Sequence, residues 1–167
     1  MKQLTYFSHW LGTTSLSDVI QNVTWIIPLV QTIHILSISI VLSSVGMLDL
    51  RLMGLAGKRV TISGMAERFL PWIWSALAIL AVSGIILIVG EPDRSLPNPA
   101  FQLKMLLLLT VIVVTLVFQQ TVRRNAGFWD LSPAHRRSAK VTATISLALW
   151  LAIAVCGRLI AYVGQDQ

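Results

Sequence analysis

Four runs of apolar residues, each about twenty or more positions long, are separated by short polar stretches: about 24–48, 70–90, 100–121 and 141–163. A bilayer core about 30 Å thick is crossed by roughly 20 apolar residues in a helix. The pattern therefore predicts four transmembrane helices, and their short connections favour an antiparallel all-α four-helix bundle occupying residues 1–167 as a single membrane domain. Pro71 marks the opening of the second span, Gly90 its close, Pro97 and Pro99 the approach to the third, and Gly164 the end of the fourth. Ahead of the first span, Ser8, His9, Gly12, Thr13 and Thr14 break the apolar run that a cleaved signal peptide needs. With Tyr6, Phe7 and Trp10, this lead-in reads as a retained segment lying in the membrane interface, with a capped turn at Ser15 or Ser17.

Composition strengthens this picture: of 167 residues, 55% are hydrophobic and 12% charged, and the mean hydropathy is +0.75, as expected for an integral membrane protein. The net charge of +6 changes meaning once it is located. Arg51, Lys58, Arg59 and Arg68 collect between the first two spans, and Arg123, Arg124, Arg136, Arg137 and Lys140 between the last two. Asp49, Glu67 and Asp130 oppose them only in part. By the positive-inside rule both loops are cytoplasmic and both termini outside, which suits a multi-pass protein of a bacterial inner membrane rather than a nucleic-acid binder. Trp25, Trp72, Trp74 and Trp129 fall near the expected interfaces, where indoles are favoured. Cys156 is the single cysteine, which excludes an intrachain disulfide and reads as a small packing residue.

Against this apolar background His34 is the outlier, since an ionisable group inside a span is costly and marks a functional site by default. At 1.5 Å per residue it lies about 15 Å in from the outer face, Lys104 about 6 Å and Arg158 about 8 Å from the same face. Gln31, Ser37 and Ser44 share the His34 face of the helix, giving a polar stripe expected to point inward. An imidazole there can bind a metal through one nitrogen while the other donates to a hydroxyl or carbonyl. Two cations nearer the surface suit a ligand whose acidic groups point outward. A b-type haem meets that description, with iron on His34 and propionates toward Lys104 and Arg158. The alternatives for His34 are interhelical hydrogen bonding, proton transfer and another metal; Lys104 and Arg158 on their own are explained by snorkelling. His9 and Met105 are the available second axial ligands. His9 reads as a solvent-side histidine, Met105 as core or lipid-facing, and His135 as a solvated residue among basic ones. Asp49 near Arg51 reads as a local ion pair or headgroup contact ending span one, while Gln119 and Gln120 suit a helix cap or a quinone contact.

The stretch WIIPLVQTIHILSISIVLSSVGMLDLRLMG, followed by NPAFQLKMLLLL, resembles a family of small four-helix bacterial membrane proteins of unknown function. The residues carrying it are His34, the helix-end pair Asp49 and Arg51, and Phe101 and Lys104 in a Phe-x-x-Lys opening of a later span. More distantly, a first-helix histidine with a lysine early in a later helix looks like the haem-containing, non-flavin membrane protoporphyrinogen oxidases and the membrane domain of copper-resistance D proteins. That resemblance implies His34 as the haem or metal ligand and Lys104 as its partner. The chain departs from membrane b-type cytochromes that use two helix-borne histidines per haem, because its spans hold only one.

The expected function is thus single-haem electron transfer or oxidation of a hydrophobic substrate such as quinol, with a quinone or membrane redox protein as partner. Two other readings stand beside it: a non-catalytic anchor or assembly subunit, alone or as a homo-oligomer within a larger complex, and a copper-handling membrane protein.

Overall fold

A computed structural model describes residues 2–57, 59–125, 128 and 133–160. Lys58, Trp129, Asp130, Gly164 and the end of the fourth expected span, 161–163, lie outside the described residues. Seven helices follow one another: α1 Lys2–Gly12, α2 Ser15–Asn22, α3 Ile26–Met53, α4 Ile62–Gly90, α5 Pro92–Ser95, α6 Pro99–Arg124 and α7 Pro133–Leu159. All regular structure among the described residues is helical. Four helices are long and apolar enough to cross a membrane: α3, α4, α6 and, from His135, α7.

Two of these extend further toward the basic-loop end than the hydrophobic runs predict. α3 continues past Asp49 to Met53 because Leu48 and Leu52 prolong its buried seam. It stops at Gly54, whose φ of 76° is left-handed, with Gly54 N donating to Arg51 O and Leu55 N to Leu50 O. α4 starts at Ile62, not at Pro71: Thr61 caps it by accepting from Gly64 N at 3.1 Å, and Ile62, Met65, Ala66 and Leu70 bury a full apolar face before the proline. Pro71 sits inside the helix, where it removes one backbone N–H from the ladder. Elsewhere the punctuation is as expected. Asn98 caps α6 through Ala100 N at 2.9 Å, with Pro99 in the first turn.

α3 packs against α4 and α7, and α6 against α7, so the bundle runs α4, α3, α7, α6 around its axis. The seam that would close the ring is thin: α4 and α6 touch over a short stretch, and Trp74 Nε1 donates to Gln119 Oε1 across it at 2.9 Å. Val41, Ile73, Val111, Ala143 and Trp150 are among the buried residues that fill the centre.

The lead-in is docked rather than merely laid on the membrane. α2 is capped by Thr14, not by Ser15 or Ser17. Ser17 is instead buried and donates to Val89 O at 2.8 Å, which ties α2 to the end of α4. A Cβ on Gly90 would stand 2.9 Å from Ile20 Cγ2, so that junction admits only glycine without displacement.

Candidate functional site

The polar stripe of α3 does not face one way throughout. Ser37 and Ser44 are buried and His34 is half-buried, but Gln31 is exposed and takes no part in the interior. Ser37 donates to Ile33 O of its own helix at 2.8 Å, which satisfies its hydroxyl locally. His34 instead reaches across to α4, where its Nδ1 lies 2.8 Å from Ser83 Oγ.

Ser83 Oγ also approaches its own helix, with Ile79 O at 2.7 Å and Leu80 O at 3.3 Å as acceptors for its single hydrogen. In the tautomer that carries its hydrogen on Nδ1, His34 donates to the Ser83 oxygen. The neutral imidazole then carries its free lone pair on Nε2. Next in α4 is Gly84, where an added Cβ would be 3.6 Å from His34 Cε1, so the ring lies against the helix backbone at the Ser83–Gly84 step.

The other two spans meet this group. Lys104 on α6 is within electrostatic reach of His34 and of Cys156 on α7. A Cβ on Gly157 would stand 3.9 Å from Lys104 Nζ, so the ammonium lies over that turn of α7. Thus His34, Ser83, Lys104 and the Cys156–Gly157 turn bring all four apolar helices to one place, in the half of the bundle away from the basic loops. Arg158 is exposed on the adjoining position of α7. Met105 is exposed, as a lipid-facing methionine would be. His9 lines an open cavity of about 370 Å³ outside the apolar layer, with Gly12, Thr13, Gln21 and residues 91–94. It does not fold back toward His34. Among the described residues no three His, Cys, Asp or Glu side chains converge into a metal cage.

The pairing expected of Asp49 and Arg51 is not what forms. Arg51 Nε donates to Val60 O at 2.6 Å, while Asp49 turns into the bundle, is 3% exposed and lies within electrostatic reach of the Ser146 hydroxyl on α7. Three residues of these two sites escaped the sequence reading: Ser83, Ser146 and the buried Trp150. Ser83 was findable as a lone polar position on the inward seam of α4, six residues beyond the buried Leu77. Asp49 was findable by extending the α3 seam from Val41 through Val45 in steps of four.

These features define a multi-pass α-helical membrane protein whose four long helices converge on an oriented histidine. Residues 7–163 match the model of DUF6644, a family of unknown function, and the chain belongs to that family. No curated protein and no solved structure matches it. These comparisons show no link to membrane protoporphyrinogen oxidases or copper-resistance D proteins.

Proposed function

We propose that this protein binds one b-type haem beside His34 and serves in electron transfer or in oxidation of a hydrophobic substrate such as quinol. The observation that carries the reading is the His34–Ser83 hydrogen bond, which in the Nδ1–H tautomer leaves Nε2 free to act as a ligand. Metal-binding histidines characteristically donate their second nitrogen in this way, which holds the ring and raises its basicity. The donor set fits a haem better than a bare metal ion, since a porphyrin supplies four ligands of its own and asks the protein for one or two. When bound, the haem supplies one-electron redox chemistry.

The chain's own residues supply position and electrostatics. Ser83 and the Gly84 backbone set the plane of the imidazole, and Lys104 offers a positive charge to acidic groups at the edge of the ligand. The thin α4–α6 seam gives lateral entry from lipid, where a hydrophobic substrate resides. Arg158, next to Gly157 in sequence, would be the second cation for a propionate. Placement in a bacterial inner membrane, with the two basic loops cytoplasmic, belongs to the same proposal and rests on the charge asymmetry of the loops.

The test is an absorbance spectrum of detergent-purified protein from cells supplied with haem, oxidised and then dithionite-reduced. The expected result is a Soret band with reduced b-type α and β bands, all absent in His34→Ala. Pure, folded wild-type protein without a Soret band overturns the reading.

A further inference from the structure

At the opposite, basic-loop end of the bundle a second polar group is enclosed between α3 and α7. Asp49 Oδ2 and Trp150 Nε1 are both buried and have no hydrogen-bond partner within the described chain. Their residues are 3% and 4% exposed, and a polar atom left unsatisfied at such depth is costly. Asp49 is within electrostatic reach of Ser146, and Trp150 follows Ser146 by four residues on the same face of α7. Side chains of a helix lean toward its N-terminus, which directs the Trp150 indole toward the turn that Asp49 approaches.

We propose that Asp49, Ser146 and Trp150 form a proton-exchange site with one water molecule as its guest, held between Asp49 Oδ2 and Trp150 Nε1. The indole is a donor only, so it repels a bare cation and selects a guest that accepts from it while donating to the carboxylate. Water does both. Charge around the site leaves the proton as the means of neutralising the carboxyl. Arg51, on the same helix, sends its Nε to Val60 O; Glu67 and Arg68 on α4, and Arg136, Arg137 and Lys140 on α7, are exposed; α7 faces the carboxyl with Ser146. A proton arriving from solvent passes through the water to Oδ2, forming the O–H bond of a neutral carboxylic acid, and leaves by the same route. This site does not rest on haem binding.

The experiment is infrared difference spectroscopy between two pH values on the full chain in lipid vesicles, in H2O and D2O. The expected result is a protonated-carboxyl C=O band that shifts in D2O, disappears in Asp49→Asn and returns in Asp49→Glu. Trp150→Phe should shift the band, because it removes one anchor of the water. Superimposable wild-type and Asp49→Asn spectra overturn the site, and a band unmoved in Trp150→Phe overturns the bridging water. The haem spectrum, measured on the same Asp49→Asn sample, should be unchanged.

Discussion

His34 and Asp49 stand on one helix, fifteen residues apart, and the protein treats them in opposite ways. His34 is half-buried, with its Nδ1 bonded across to Ser83. Asp49 is closed in almost completely, with its Oδ2 unmet by any other group of the described chain. The first arrangement orients a group for something that enters from outside the chain. The second encloses a group whose unmet oxygen leaves, on our proposal, room for a guest no larger than water. Exposure and hydrogen-bond completion, rather than the mere presence of an ionisable residue in a span, therefore separate the two sites.

Substitutions can break that contrast. The largest expected effect is at His34: His34→Leu should abolish haem binding entirely while costing less than about 1 kcal/mol of stability, because Ser83 keeps its bond to Ile79 O. Absorbance and thermal unfolding of the same sample check both halves. Next comes Ser83→Ala, which removes the acceptor that fixes the ring. Loss of such a supporting partner typically lowers metal affinity about 10- to 100-fold, so haem titration should show occupancy falling without vanishing.

Asp49→Leu should act in the reverse sense. Removing an incompletely satisfied buried carboxyl is expected to leave the haem spectrum intact and to stabilise the bundle by about 1–3 kcal/mol, read by thermal or denaturant unfolding in detergent. Destabilisation of that size would show that Asp49 holds the bundle together. The smallest effect is expected midway around the ring: Trp74→Phe removes the hydrogen bond to Gln119, worth about 0.6 kcal/mol for an interhelical bond in a membrane. Its informative readout is entry, since loosening the α4–α6 seam should speed haem loss slightly.

The four apolar helices were legible in the sequence because their signal is long and local, a sustained run that no loop imitates. Their ends at the basic side were not. Met65, Ala66 and Leu70 continue the α4 face through a stretch where Glu67, Arg68 and Pro71 read as loop, and only packing against α3 shows that the helix continues. His34 and Lys104 were legible as anomalies of charge in apolar runs, and their common half of the bundle followed from depth, while the helix rotation that brings Lys104 within electrostatic reach of His34 did not. Gln31 shows the limit of that reasoning, since depth and periodicity put it on the stripe but the bundle's packing leaves it exposed. Ser83 shows only as a polar position on the inward seam of α4, and Ser146 carries no signal by itself. Serines are common in helices of this kind, and what distinguishes these two is a partner more than forty residues away.

The central claim is that His34 Nε2 is the atom offered to iron. Resonance Raman spectroscopy of reduced protein carrying 15N-labelled histidine tests it directly. The account predicts an iron–nitrogen stretching band that moves to lower frequency with the label and is missing from His34→Ala; a haem spectrum with no label-sensitive band, or one that survives in His34→Ala, would contradict it.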